Sequence, residues 1–127
     1  MVYFVKIYGT RYFSRWQRKE KLLDARLREA IEELMAGLHD GNLGAHVYKK
    51  RIAQSGRGKR GSYRTIIACK LFDQAFFMYG YPKNERDNIS PKELEAYRDT
   101  AKLFLDMKIE QIESLLRSGD LTEVNYD

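Results

Sequence analysis

The chain has 127 residues and is 43% hydrophobic, which is enough for a single domain with a buried core over residues 1–127. It has one cysteine and no apolar stretch of about 18 residues, which excludes an internal disulfide and predicts neither a transmembrane helix nor a membrane partner. The beginning of the chain lacks the features of a signal peptide, so we expect a cytoplasmic protein. The 23 basic and 18 acidic residues give a net charge of +5.

The N-terminal part of the chain predicts a strand followed by a helix. Residues 2–8 are mostly β-branched and aromatic, which is typical of a strand. Thr10 comes next, and threonine is a favoured N-cap residue for a helix over residues 11–19. Phe13 and Trp16 lie three residues apart on that helix, so we expect both side chains to face the core.

A longer helix is predicted over residues 23–38, because apolar residues recur there at helical spacing. These residues are Leu23, Leu27, Ala30, Ile31, Leu34, Met35 and Leu38. The segment 39–46 is interpreted as a loop. Its two histidines, His39 and His46, are too few for a metal site, so no metal and no cofactor are predicted. His46 is a candidate general base, because imidazole is the commonest such group.

Three strands are predicted between residues 48 and 81, joined first by a glycine-rich loop and then by a tight turn. On the middle strand, Arg64 shares a face with Ile66 and Ala68, because alternate residues of a strand point to the same side. Beyond Arg64 both faces of this strand are apolar. We therefore expect a central strand covered on both sides, with Arg64 at its open end and Cys69 buried.

The C-terminal part of the chain predicts two helices. Ser90, Pro91 and Glu93 form a capping box with proline at the favoured first helical position. The first helix is therefore predicted over residues 91–105, and a second apolar face follows after a short break. The tail, residues 121–127, is expected to be loosely held.

The positive charge of the chain is concentrated in its middle. No acidic residue occurs between Asp40 and Asp73. That window contains the eight cations Lys49, Lys50, Arg51, Arg57, Lys59, Arg60, Arg64 and Lys70. Without these eight, the chain carries 15 basic and 18 acidic residues. A local excess of this kind predicts a face that binds a polyanion.

The residue types in this window favour nucleic acid as the polyanion. The segment 55–62 is rich in glycine and carries Arg57, Lys59 and Arg60, so it can act as a flexible basic loop over a phosphate backbone. It lacks the spacing of a nucleotide-binding Walker loop. Tyrosines that could stack on the bases of a single RNA strand are interleaved with the cations. They are Tyr48, Tyr63, Tyr79 and Tyr81.

Two blocks of the sequence resemble a known family. They are Gly61-Ser-Tyr-Arg-Thr-Ile-Ile67 and Lys83-Asn-Glu-Arg-Asp-Asn-Ile89. Together with the basic loop and the aromatic strand, they are similar to the RelE/HigB-type toxins of bacterial toxin–antitoxin pairs, and closest to the cytotoxic translational repressors. The resemblance covers nearly all of the chain. It implies a small α+β fold, in which a mostly antiparallel sheet packs against N-terminal and C-terminal helices.

The resemblance also implies a function and partners. The chain would be the toxin of a type II toxin–antitoxin system. It would inhibit translation by ribosome-dependent, metal-independent mRNA cleavage, in which a ribose 2′-hydroxyl attacks the adjacent phosphate. The implied partners are mRNA on the ribosome and a cognate antitoxin with a helix-turn-helix DNA-binding domain. Operator DNA would be contacted only through that antitoxin.

Matching the family onto this chain implies two groups of site residues. The catalytic group is Arg64, Lys59, Lys83, Arg60 and Tyr79, in which the cations stabilise charge on the phosphoryl oxygens. The RNA-binding group is Lys49, Arg51, Arg57, Tyr48 and Arg86. The proton acceptor is left open between Tyr79, Glu85 and His46.

Two positions depart from the family pattern. Family members carry an arginine where this chain has Asn84, and a tyrosine at a place that falls near Ser90. The family's fold is shared by ParE toxins, which act on gyrase and do not cleave RNA. The alternative function is therefore a nucleic-acid-binding protein without catalysis, or a ParE-like gyrase inhibitor.

Overall fold

The structure, a computed structural model, describes residues 5–53, 62–82 and 89–125. Within these segments the chain forms the elements β1 (Lys6–Thr10), α1 (Arg11–Lys19), α2 (Asp24–Met35), β2 (Gly41–Gly44), β3 (Val47–Ala53), β4 (Ser62–Lys70), β5 (Gln74–Pro82), α3 (Pro91–Leu105), α4 (Ile109–Ser118) and β6 (Leu121–Glu123). None of the helices in the described segments is long and apolar enough to span a membrane.

The described strands form one sheet in the order β2-β3-β4-β5-β1-β6. Every neighbouring pair is antiparallel except β1 and β5, which run parallel. The predicted α+β class with a mostly antiparallel sheet is therefore confirmed. The strand that contains Arg64, β4, lies inside the sheet between β3 and β5, as the apolar pattern on both of its faces predicted.

A separate hydrophobic core covers each face of the sheet. On one face, Phe13 of α1 and Leu27 and Ile31 of α2 are fully buried with Ile67 and Phe77 of the sheet. Apolar residues recur on α2 every three or four positions, so one side of the helix is continuously apolar and packs against the strands. Phe13 and Phe77 stack with ring centroids 4.9 Å apart.

On the opposite face, α3 and α4 pack against the other set of alternate residues. Ala101 of α3 and Ile112 of α4 are buried with Ile66 and Phe76. The rings of Phe76 and Phe104 stack with their centroids 4.9 Å apart. Because β4 and β5 are covered on both sides, side chains at their ends are held by a rigid support.

Two predicted helix starts, after Thr10 and after Ser90, are confirmed by their caps. The Thr10 hydroxyl accepts a hydrogen bond from the Phe13 amide at 3.1 Å and donates one to the Met78 carbonyl at 3.1 Å. The Ser90 hydroxyl accepts from the Glu93 amide at 3.1 Å, and the Glu93 carboxylate accepts from the Ser90 amide at 3.1 Å. The first cap joins α1 to the sheet, and the second fixes where α3 begins.

The predicted burial of Cys69 is also confirmed. Its side chain is 0% exposed, and burial raises the pKa of its thiol to about 11. A thiol with this pKa is almost wholly protonated at neutral pH. Cys69 therefore acts as a small apolar side chain of β4.

Two predicted segments, residues 23–38 and 39–46, differ from the structure. The helix predicted over residues 23–38 is shorter, and Leu23 and Leu38 lie outside it with 68% and 59% of their surface exposed. The segment predicted as a loop contains β2, which pairs with β3 through a turn at Ala45 and His46, both with positive φ. Two-residue turns of this kind match the twist of a hairpin.

The prediction of a loosely held tail is wrong for the described residues. Leu121 is 2% exposed and Val124 is 5% exposed. Leu121–Glu123 forms strand β6, which pairs with β1. This short strand covers the edge of β1 and is the outer strand of the sheet on that side.

The indole of Trp16 occupies the space in which a side chain at position 80 of β5 would lie, so only glycine fits there. A Cβ at Gly80 would lie 2.5 Å from Cε3 of Trp16, well inside contact distance. We expect Gly80→Ala to destabilise the protein by about 1–3 kcal/mol, the usual cost of forcing an extra group into a packed site. Urea unfolding followed by circular dichroism measures this free energy.

Gly41→Ala is the matched control, because a Cβ there meets no atom closer than 3.6 Å. We expect that substitution to change stability by no more than about 1 kcal/mol, through restriction of the unfolded chain. Equal stability of the Gly80→Ala and Gly41→Ala proteins would contradict the close packing of Trp16 of α1 against Gly80 of β5.

Candidate functional site

A β-bulge in β5 determines which tyrosines lie beside Arg64. Ile67 of β4 pairs with Phe77, but Ile66 pairs with Tyr79, so Met78 is an extra residue on β5. A bulge of this kind reverses the facing of the residues that follow it. Tyr79 therefore points to the α3 side of the sheet, whereas regular alternation would place it with Phe77 on the other side.

Two rows of side chains share this face of the sheet. In the first row, Arg51 of β3 pairs with Arg64 of β4, which pairs with Tyr81 of β5. In the second row, Lys49 of β3 and Tyr79 of β5 flank Ile66. Neighbouring strands are about 4.8 Å apart, so the side chains of each row are in reach of one another. We call Lys49, Arg51, Arg64 and Tyr79 the basic face. Tyr81 lies on the same side of the sheet, but it is 2% exposed and belongs to the core.

The charges of the basic face are only partly compensated by protein carboxylates. Arg51 lies 4.0 Å from Asp40, and both side chains are at least 30% exposed. Within the described segments no carboxylate lies within 4 Å of Arg64. Like charges directly opposite on paired strands repel each other. The pairing of Arg51 with Arg64 thus creates a position that favours an anion.

Tyr79 is the centre of an aromatic cluster built from three elements. Its ring stacks on Tyr12 of α1 with centroids 5.1 Å apart. The rings of Tyr81 and Tyr97 lie 5.7 Å and 6.0 Å from it. Contacts of this geometry are favourable beyond the area they bury, so the half-buried Tyr79 ring has a defined orientation next to Arg64. The contacts of Tyr79 with Tyr12 and with Tyr97 could not be predicted from the sequence, because they join residues of different elements.

The structure does not bring Tyr48, a predicted RNA-binding residue, to the basic face. Its side chain is only 9% exposed and belongs to the core beneath α2, on the opposite side of the sheet from Arg64. The ring of His39 lies 5.3 Å from it. Tyr63 is buried on the same side, 4% exposed, against the edge of Trp16. Neither tyrosine has a free ring face for a base.

Lys50 also belongs to the α2 side of the sheet. It is 8% exposed, and its ammonium group lies 3.0 Å from the Glu33 carboxylate of α2. Its charge is therefore neutralised locally and does not contribute to the basic face. Adjacent residues of a strand point to opposite faces, which separates Lys50 from Lys49.

Several predicted site residues lie outside the described residues. They are Arg57, Lys59, Arg60, Lys83, Glu85 and Arg86. Ala53 pairs with Ser62, and Tyr63 pairs with Pro82. The described ends from which these segments continue thus lie at the same end of the sheet as Arg64.

His46 is not brought to the basic face. It lies in the turn before Val47, which pairs with Ala68, whereas Arg51 pairs with Arg64. Four residues of extended strand separate Val47 from Arg51, a distance of about 13 Å. Of the three candidate proton acceptors, only Tyr79 is described by the structure on the face of Arg64.

The fold and the basic face define a class of protein. A small α+β domain that presents arginines and a lysine only partly compensated within the described segments, beside a tyrosine, is suited to binding a polyanion such as nucleic acid. A sequence model for the RelE toxin of the RelE/RelB toxin–antitoxin system matches residues 5–124. The chain therefore belongs to the RelE toxin family and is the toxin of a toxin–antitoxin system, with an antitoxin as its partner. No curated protein matches the chain significantly.

The orientation of Lys49 and Lys50 predicts different effects for two neighbouring substitutions. Lys49→Ala should weaken binding of a single-stranded 2′-O-methyl RNA and lower the salt slope of log K by about 0.7, the contribution of one phosphate contact. Lys50→Ala should instead destabilise the fold by about 1 kcal/mol, through loss of stem packing and of the ion pair with Glu33.

Fluorescence anisotropy at several salt concentrations measures the first effect, and urea unfolding measures the second. The folded Lys50→Ala protein should bind RNA with the salt slope of the unmodified protein. If both substitutions lowered the slope equally, the division of charge between the two faces of the sheet would be refuted.

Proposed function

We propose that this toxin inhibits translation by cleaving mRNA on the ribosome, through attack of a ribose 2′-hydroxyl on the adjacent phosphate. The observation that carries the proposal is the position of Arg64. It stands on an inner strand between Arg51 and Tyr81, with no carboxylate within 4 Å in the described segments. A phosphate can therefore replace the missing counter-charge.

The reaction requires charge stabilisation and two proton transfers. The 2′-oxygen forms a bond to phosphorus while the bond from phosphorus to the 5′-oxygen breaks. The 2′-hydroxyl loses its proton to a base, and the leaving 5′-oxygen gains a proton. The products are a 2′,3′-cyclic phosphate and a 5′-hydroxyl end. Negative charge grows on the phosphoryl oxygens, and cations already aimed at them lower the barrier.

We assign the charge-stabilising role to Arg64 and Arg51. A guanidinium presents a planar fork that can grip two phosphoryl oxygens, and a lysine cannot reproduce this geometry. Arg64 is half-buried, and Ile66 and Ala68, next on its face of β4, are 0% exposed. A group mounted in this way needs little rearrangement when the transition state forms. We propose that Lys59, Arg60 and Lys83 add to the same charge, so that no metal ion is required.

We propose that the phenolate form of Tyr79 accepts the 2′-hydroxyl proton and becomes the neutral phenol. Its ring is held between Tyr12, Tyr81 and Tyr97, one row of the sheet from Arg64. A group that transfers a proton must be fixed within hydrogen-bond reach of its target. Glu85 is the alternative for this role.

We further propose that mRNA, bound on the ribosome, contacts Lys49 and Arg51 and, beyond the described residues, Arg57 and Arg86. The site of action would then be the cytoplasm. We propose an antitoxin with a helix-turn-helix DNA-binding domain, through which alone operator DNA is contacted. An acidic segment of that antitoxin would complement the charge of the basic face.

A specific observation supports the alternative of a ParE-like gyrase inhibitor or a binding protein without catalysis. Near Ser90, where family members carry a tyrosine, this chain uses the Ser90 hydroxyl as a helix cap for Glu93. Asn84 is the second departure from the family pattern. Induction of a DNA damage response with intact mRNA would support the gyrase alternative.

Substitutions at Arg64 test the proposed mechanism. Arg64→Ala should abolish growth arrest in an expressing bacterium, because loss of one preorganised charge-stabilising group costs about a hundred- to a thousandfold in rate. Arg64→Lys should also fail, because the fork is lost. Tyr79→Phe should lose arrest while keeping its ring contacts. Growth curves give the result, and circular dichroism and melting curves check the fold.

Lys70→Ala is the matched control on the same strand. Lys70 is exposed at the far end of β4, so its removal should leave growth arrest unchanged. A folded Arg64→Ala protein that still arrests growth fully would remove Arg64 from the site.

A further inference from the structure

The exposed side of α1 carries a dense positive charge outside the basic face. The helix contains Arg11, Arg15, Arg18 and Lys19 and no acidic residue. Arg11 is neutralised by Asp120, with a nitrogen to oxygen distance of 3.0 Å. For the other three cations, no carboxylate lies within 4 Å in the described part of the chain.

The spacing of these charges produces a stripe. Arg11, Arg15 and Lys19 are each four residues apart, so they follow one another along one side of the helix at intervals of about 6 Å. Like charges at this spacing destabilise a helix. The stripe therefore weakens α1 by itself, and a bound chain of negative charges would relieve the repulsion.

The same side of α1 forms a groove with two aromatic walls. Arg11, Tyr12, Arg15, Trp16 and Lys19 line an open groove of about 450 Å³. This volume lies in the range of ligand-binding clefts. The Trp16 ring is fixed, because it packs over the bare backbone of Gly80 and meets the Tyr63 ring edge-on at 5.1 Å. Cations beside flat rings are what single-stranded nucleic acids bind.

The groove is continuous with the basic face. Tyr12, which forms part of the groove, stacks on Tyr79 with ring centroids 5.1 Å apart and an interplanar angle of 20°. A strand that leaves Arg64 past Tyr79 therefore meets α1 next. The two surfaces are joined by this aromatic pair.

We propose that the α1 groove is a second RNA-binding surface, which holds the phosphate backbone of the strand whose scissile phosphate lies at Arg64. This inference rests on the proposed function and extends it. Arg15 and Lys19 bind phosphates, and Trp16 and Tyr12 supply flat surfaces for a base or a ribose. Arg11 has a structural role in addition. Its guanidinium donates a hydrogen bond to the Ser118 carbonyl and so connects α1 to the end of α4.

The experiment compares two lengths of fluorescent 2′-O-methyl RNA, of about 4 and about 12 nucleotides, which span the usual range of single-strand sites. The variant is Arg15→Ala/Lys19→Ala, and the control is Lys70→Ala/Lys102→Ala, which removes equal charge elsewhere. Alanine favours the helix and removes the like-charge repulsion, so the variant should fold.

The variant should bind the short RNA as the unmodified protein does but lose affinity for the long one. Its salt slope should fall by about 1.4, two phosphates at about 0.7 each. If the two proteins bind equally at about 1 M salt, the variant should bind about 25-fold more weakly than the unmodified protein at about 0.1 M salt. The control should show neither change. This difference between the two RNA lengths isolates the groove from the basic face.

Three results would overturn the inference. In the first, the variant binds the long RNA with unchanged affinity and slope. In the second, the unmodified protein fails to bind it. In the third, a polyglutamate peptide of similar length competes as well as RNA does, which would assign the groove to an acidic protein segment. None of these decides the proposed function, which the Arg64 variants test through growth arrest.

Discussion

The extra residue Met78 in β5 is the constraint on which the site depends. Because Ile66 pairs with Tyr79 while Ile67 pairs with Phe77, the facing of β5 changes within one residue. The change sends Tyr79 and Tyr81 to the side of Arg64. It also sends Gly80 to the side of α1, where the space above its backbone is filled by Trp16.

The packing of Trp16 of α1 on Gly80 connects the hydrophobic core to the surface of the protein. Trp16 contacts the hydrophobic core on its inner side and forms a wall of the groove on its outer side. Tyr12, on the same helix, contacts Tyr79. A shift of α1 along β5 would therefore disturb the aromatic cluster and the groove together. The packing of Trp16 on Gly80 therefore affects both the stability of the fold and the geometry of the site.

The protein places like charges close together where they oppose folding. Arg51 faces Arg64 across two strands, and the cations of α1 follow one another along the helix. Two hydrophobic cores, one on each face of the sheet, supply the stability that offsets this repulsion. Arg64, Arg15 and Lys19 have no carboxylate within 4 Å in the described segments, and charges of this kind are typical of a surface that binds an anion.

The local features of the fold could be predicted from the sequence. The caps at Thr10 and Ser90 and the burial of Cys69 follow from residue type and spacing, and all three are confirmed. Alternation along β3 also predicts the facing of Tyr48. Tyr48 has the parity of Lys50, so it could not share a face with Lys49.

Features that depend on pairing between distant segments could not be predicted. The bulge at Met78 is visible only when β4 and β5 are aligned, because neither strand alone shows it. Strand β2 is short and rich in glycine, and it forms because β3 lies beside it. The tail is ordered by β1, 111 to 115 positions earlier in the chain, in the paired residues Tyr8 with Glu123 and Thr10 with Leu121. Sequence patterns within one segment contain no information on these partners.

The chemistry of the cut mRNA ends tests the central claim most directly. After brief induction of the toxin, mRNA 5′ ends are mapped, and a kinase reaction distinguishes 5′-hydroxyl from 5′-phosphate ends. Attack by the 2′-hydroxyl predicts cuts within translated regions. The downstream fragment should begin with a 5′-hydroxyl, and the upstream fragment should end in a 2′,3′-cyclic phosphate. Growth arrest with intact mRNA, or with new ends that carry a 5′-phosphate, would contradict the account.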